Sequence, residues 1–387
     1  MEVAARTGED EVRVSTIELF FDLVFVFTIT QLTSVLAHHP NGESLGQICL
    51  MLAAIWWMYA GFAWLTNAVP PDRTGLRLPL LAGMAAFFVI SLTIPTAFSG
   101  DGVVFACAYL AVIAIHMVLY MQSATWSAAG VWSFARMNLV AGGLILAGTV
   151  LGGALEYVLW GLAVLLFVII PWLVPEEAGW IKPGHFVERH GLVVMVALGE
   201  SVVAVGIGAS GLGITWQMLA VAILGLALTA EFWRVYFLGD EEEAEGALRR
   251  MAPTRWDFYA TNLAFYWAHL LLLLGIICIA AALEQAIAHA FDPLRFPLAL
   301  ALGGGAALFL VGHALFRRFL GLSFKLWRGL AALLALATIA LGPSTEALIQ
   351  LAVLVAALGV CAVAEGVPGR SRGSVPRTRL RPGDLAS

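Results

Sequence analysis

The sequence predicts an all-α fold, a polytopic integral membrane bundle of about twelve transmembrane helices with both termini cytoplasmic. Three observations carry that reading. Apolar residues (AVILMFWYC) make up 61% of the 387-residue chain, charged residues only 12%, and the mean hydropathy is +0.90. A soluble domain carries about 25% charged residues, because its surface must be solvated, so soluble classes are excluded. The apolar residues also fall into runs of bilayer-spanning length, about 20 residues each. Finally, the basic residues sort onto alternate connections between those runs. The net charge of −5 leaves no footprint for nucleic acid. The four cysteines all lie inside apolar runs, which argues against a disulfide framework or a zinc site.

In chain order, the first six runs fall near 16–37, 45–67, 77–98, 102–124, 134–154 and 157–174. After a polar break, six more fall near 189–210, 214–238, 257–282, 296–316, 326–341 and 346–364. Gly342-Pro343 leaves the last two with only 16 and 19 residues. The first run contains Glu18 and Asp22 and lacks a cleavage site, so it reads as a retained span rather than a signal peptide. With a cytoplasmic N-terminus, 19 of the 21 basic residues fall on the inner side, as the positive-inside rule expects. Arg234 lies within span eight, and Arg295 alone falls outside. The expected organisation is a cytoplasmic N-terminus (1–15), a six-helix half (16–174), a cytoplasmic connection (175–188) and a second half (189–364). The second half contains a solvated loop over 239–256, with room for a short helix. A disordered Arg-rich tail (365–387) follows. The expected location is the plasma membrane.

The two halves echo one another. Ser15-Thr16-Ile17-Glu18 opens span one and His185-Phe186-Val187-Glu188 opens span seven, an offset of 170. Trp64 near the end of span two matches Trp233 at an offset of 169, with Asp72 and Asp240 beyond. His116 and His313 occupy spans four and ten. Six spans per half give both halves the same orientation, so these offsets point to a 6+6 parallel repeat.

Charges in hydrocarbon are costly, about 2.5–3.5 kcal/mol each at mid-bilayer, so those within spans are candidates for function. Glu18 and Asp22 stand one helical turn apart on one face, a candidate proton or cation site. The alternative is that an arginine from another span pairs with them and fixes packing. Glu200 lies twelve residues beyond Glu188, about 18 Å deeper, among Gly199, Ser201, Gly206 and Gly208. It reads as a mid-membrane functional acid or as a buried carboxyl hydrogen-bonded to a neighbouring helix. Glu231 and Arg234 are spaced for an internal ion pair, at a depth similar to that of Asp22, which would make an acid-lined vestibule. His185, Glu188, Arg189 and His190 open span seven. Their His–Glu pair could share a metal but has no second ligand pair, so neither metal nor cofactor is expected. His116, His269 and His313 read as packing residues. Among Trp56, Trp57, Tyr59 and Trp64 the deeper rings suit either packing or a cavity wall.

Two passages are specific: VSTIELFFDLVFVF over Val14–Phe27, and HFVERHG over His185–Gly191 followed by ALGES over Ala197–Ser201. Together with IPTAF over Ile94–Phe98, they resemble the bacterial low temperature requirement protein A family, across spans one to ten. The resemblance implies a membrane architecture and adds weight to Glu18, Asp22, Glu188, Arg189, His190 and Glu200, which occupy the motif positions. It implies no reaction. The function expected is a proton-coupled secondary transporter of a small solute or ion, using intramembrane carboxylates including Glu231 rather than acting as an enzyme. The alternatives are a non-catalytic membrane factor for cold growth, such as a sensor or scaffold, or a lipid-acting enzyme, for which no nucleophile–base constellation is visible. The bilayer and that solute are the expected partners.

Overall fold

The computed structural model describes residues 14–69, 74–122, 128–173, 181–211, 213–251 and 254–366. The Arg-rich tail beyond 366, Arg6, Arg13, Asp72 and Arg73 lie outside the described residues. The first six helices are α1 (Thr16–His38), α2 (Gly42–Ala68), α3 (Thr74–Thr93), α4 (Gly102–Gln122), α5 (Ala128–Leu151) and α6 (Gly153–Leu173). Next come α7 (Pro183–Gly208), α8 (Trp216–Phe237), the short α9 (Asp240–Arg250) and α10 (Arg255–Asn262). A π turn, Leu263–Ala268, carries α10 into α11 (His269–Ala288), followed by α12 (Phe296–Phe319), α13 (Leu326–Thr338) and α14 (Ala347–Gly366). Among the described residues, an isolated bridge between Pro293 and Glu346 is the only β pairing.

Local chemistry sets the helix ends. The side chains of Asn41, Thr215 and Thr254 accept the amides of Ser44, Met218 and Asp257 as N-caps. Glu18 reaches back to the amide of Ser15 at 2.9 Å, half of a capping box. Gly152 and Gly153 both take positive φ, which lets α5 turn into α6 with a single residue between them.

Among the described residues, eleven helical spans are long and apolar enough to cross a bilayer. The predicted eleventh run is different: α13 has only 13 residues, about 20 Å of helix against a hydrocarbon core of about 30 Å. Irregular turns over 339–346 complete the path. The connection before α12 supports them, since Leu294 donates to the Gly342 carbonyl at 2.9 Å and Ala347 donates to Asp292 at 2.9 Å. Non-helical backbone at this depth persists where protein satisfies its polar groups. The starts of α1, α7 and α13 and the end of α14 share one end of the bundle, tied by Glu18–His185, Glu241 against Gly191, and Arg328–Glu365. The described ends of the chain therefore lie on one side. Both ion clusters described below sit there, and it is called the charged end.

Helices α2 and α10–α11 form the centre, with 78% of the apolar window of each buried. Trp56 Nε1 donates to the Tyr266 carbonyl at 3.0 Å and Tyr266 Oη to Ala53 at 2.8 Å, so the π turn is locked onto α2. Helices α11 and α12 approach through glycine: a Cβ on Gly275 would stand 2.8 Å from the Gly305 carbonyl. The peripheral helices instead expose apolar stripes, as Leu155, Val158, Leu162, Leu165 and Ile169 do along α6. In water such a surface would aggregate; in lipid it is the required exterior. In the first half α1 packs on α2 and α3, α3 on α4, α4 on α5, and α6 on both α5 and α2. In the second, α7 packs on α8 and α11, α11 on α12, α12 on α13, and α14 on both α13 and α8.

The stretch read as a solvated loop is largely α9, and it packs. Asp240, Ala244, Ala247 and Leu248 are buried against the ends of α7 and α8, because four apolar or paired side chains share one helical face. Helix α7 begins at Pro183, six residues before its apolar run, which makes Arg189 part of the helix.

Candidate functional site: the seam between α1 and α7

Helices α1 and α7 run parallel and touch along their length. At the charged end, Arg189 of α7 is 2% exposed and lies between the two acids of α1. Its Nη2 is 3.1 Å from Asp22 Oδ1, and its Nη1 is 3.7 Å from Glu18 Oε1, an ion contact rather than a hydrogen bond. Tyr59 of α2 also donates to Asp22 Oδ1. Glu18 Oε2 collects the Ser15 hydroxyl at 2.8 Å and His185 Nε2 at 3.3 Å. Asn67 of α2 holds the other ring nitrogen of His185, at 3.2 Å from Nδ1. The Arg189 guanidinium lies 5.7 Å from the Tyr59 ring and 5.9 Å from that of Phe21.

This buried cluster is incompletely bonded. Glu18 Oε1, Asp22 Oδ2, and Arg189 Nε and Nη1 have no hydrogen-bond partner. Leaving His185 uncounted, two carboxylates against one guanidinium sum to −1, so the cluster has room for one proton. An arginine usually closes a bidentate pair with one carboxylate; here it divides itself between two.

Further along the same seam, Glu200 Oε2 accepts from Thr30 Oγ1 of α1 at 2.6 Å. Glu200 is buried and forms no salt bridge with a described residue. The pairs along the seam are separated by 167 to 171 residues in sequence (Glu18–His185, Glu18–Arg189, Asp22–Arg189, Thr30–Glu200). Equal depths on the two helices thus differ by close to 170 positions.

The other predicted residues lie elsewhere. Glu188 is exposed on α7, whereas His185 and Arg189 beside it are buried against Glu18. His190 is fully buried, with Nδ1 on the Phe186 carbonyl at 2.8 Å and its ring among Trp56, Phe186, Phe265 and His269. Glu231 pairs with Arg234 at 2.9 Å, as their spacing predicts. That pair stands between α8 and α14 beside Arg328 and Glu365, so Glu231 and Asp22 line no common vestibule.

A second cluster, read from the sequence only as topogenic charge, closes the charged end of the second half. Asp240 is held by Arg317, Arg328, Lys325 (3.4 Å) and His313 (3.0 Å). Arg317 also reaches Glu243 at 2.8 Å, and Arg328 reaches Glu365 at 3.0 Å. Three acids balance three bases, and no buried atom of these side chains lacks a partner. The one signal that could have found it is the i,i+4 pair His313 and Arg317 on an otherwise apolar helix. Tyr59 and Thr30 had no signal beyond being polar within a span.

A buried, incompletely neutralised ion cluster inside a bundle with eleven described helices long and apolar enough to cross a bilayer defines a multi-pass membrane protein with ionisable groups at a helix seam. Residues 13–363 match the family described as bacterial low temperature requirement A protein, and the chain belongs to that family. It is also similar to the uncharacterized protein RA0937 of Rhizobium meliloti (strain 1021), with 28% identity over 333 residues, covering 81% of this chain and 79% of that protein. No solved structure matches the chain significantly.

Proposed function

We propose that the chain is a proton-coupled secondary transporter of the plasma membrane, carrying a small solute or ion along the α1–α7 seam. In this reading Glu18, Asp22, His185 and Arg189 form a gate at the charged, cytoplasmic end, and Glu200 is the deeper group that takes and releases the coupling proton. The observation that carries it is the incomplete bonding of the seam cluster: four of its buried polar atoms are unpaired, and it has room for one proton. A cluster built for packing alone gains nothing from such gaps, since an unsatisfied buried charge is destabilising. The near-170 separations along the seam, and the same order of helix neighbours in each half, support a parallel duplication with the seam at its axis. Glu188, His190 and Glu231 have no direct part in this gate.

The test uses proteoliposomes loaded with a pH-sensitive dye, challenged with pooled solutes under an imposed pH gradient. The wild type is expected to show solute-dependent proton movement, which Glu200→Gln abolishes at unchanged protein level. A Glu200→Gln variant that moves protons and solute at the wild-type rate sinks the proposal. A second reading, a non-transporting membrane factor, is favoured by the fact that Glu18, Asp22, Glu200 and Glu231 each have a partner within the chain. Under that reading amide substitutions lower the amount of folded protein but leave low-temperature growth per molecule unchanged.

A further inference from the structure

At the charged end of the first half, a cavity of about 60 Å³ opens between α2, α4, α5, α6 and α10. It is separate from the seam: none of Glu18, Asp22, Arg189 or Glu200 reaches it. Five aromatic side chains from four helices, Trp57, Trp64, Tyr120, Phe134 and Phe258, form most of its wall. Trp57 and Phe134 lie near parallel, 28° apart with centroids at 6.4 Å, and Trp64 meets Phe258 edge-on at 5.3 Å across the two halves. Among the described residues, the wall carries no charged side chain.

One polar group in this wall is out of place. Asn262, the last residue of α10 before the π turn, is 7% exposed, and its Oδ1 is buried with no hydrogen-bond partner. By contrast the indole nitrogen of Trp57 is already used, donating to Asn138 Oδ1 at 2.6 Å. A buried amide normally finds partners for both of its atoms, and π turns recur at functional sites.

We propose that this cavity binds a small neutral aromatic alcohol, its ring against the Trp57–Phe134 wall and its hydroxyl on the Asn262 amide. Aromatic faces favour a ring in offset-stacked or edge-on contact. The uncharged wall disfavours an ion, because it offers no counter-charge. A hydroxyl both donates and accepts, so it serves Oδ1 and Nδ2 together. The site is independent of the transport reading and stands whether or not Glu200→Gln stops uptake.

The test is ¹⁹F NMR of the full chain in nanodiscs, with 4-fluorophenol and its methyl ether 4-fluoroanisole as probes. 4-Fluorophenol is expected to bind saturably and about tenfold more tightly than the ether, which lacks the donor. Asn262→Leu, close in volume, is expected to bring the phenol down to the ether's affinity and leave the ether unchanged. Ala60→Trp, which fills the cavity, is expected to abolish binding of both. Equal line broadening in wild type and Ala60→Trp would mean partition into lipid only and overturn the proposal. Equal binding of phenol and ether to the wild type overturns it as well. So does a lysolipid that native mass spectrometry finds on the wild type but not on Ala60→Trp, since the cavity would then be a lipid-tail site. If Ala60→Trp does not fold, the Asn262→Leu comparison decides alone.

Discussion

The two ion clusters at the charged end use the same side-chain types and are both buried, yet they are built to opposite specifications. Around Asp240, three bases meet three acids and every buried polar atom is bonded. It joins α9, α12, α13 and α14 within the second half. At the seam, two carboxylates share one guanidinium across the halves, and four polar atoms are unpaired. A balanced, satisfied network holds one arrangement, because any departure strands a charge. An unbalanced one at a helix–helix seam can exchange a proton, and with it the reason for the two helices to stay together. Under the transporter proposal, the contrast separates a clamp from a gate.

The sharpest way to break this comparison is to remove its central cation. Arg189→Leu strands Glu18 and Asp22 and is expected to cost about 3–5 kcal/mol, read as a fall in thermal midpoint and in folded yield in nanodiscs. Adding Glu18→Gln and Asp22→Asn to that variant is expected to recover most of the loss, since the charges then vanish together. A triple variant as unstable as Arg189→Leu would mean that shape rather than charge holds the seam. A smaller effect is expected from Asp240→Asn, about 1.5–3 kcal/mol by the same measurement, because Arg317 keeps Glu243 and Arg328 keeps Glu365. Unlike the seam variants, it should leave the pH dependence of any transport unchanged; a shifted pH profile would erase the distinction between clamp and gate. Smallest is Glu231→Gln, about 0.2–0.5 kcal/mol, since that i,i+3 pair is partly exposed on one helix. A loss as large as that of Asp240→Asn would place Glu231 in the clamp.

Much of the fold was legible beforehand, and the exceptions are instructive. Hydropathy located the spans because transfer to lipid sums residue by residue along the chain. It missed the start of α7, whose first turns carry Glu188 and the buried Arg189, because charged residues do not read as apolar even where a partner buries them. It overestimated α13, whose outer part is irregular backbone held by the connection over 289–294. At the site, Glu18 and Asp22 were legible from their four-residue spacing. The span-seven motif singles out Arg189, but nothing in its spacing places it between those two acids. The spacing argument allowed an arginine from another span as partner; only contact between α1 and α7 identifies which one. Asp240, one acid in a run of four, gave no sign that it alone turns inward.

The sequence by itself determined that this protein lives in a membrane, that its helices are helices, and which few charges lie within them. Those properties follow from local composition and from the cost of dissolving each residue in lipid. Only the tertiary structure decided which charges meet, which are satisfied and where a cavity opens. Those depend on distances of a few ångströms between helices far apart in sequence, where Coulomb and hydrogen-bond energies change steeply with geometry.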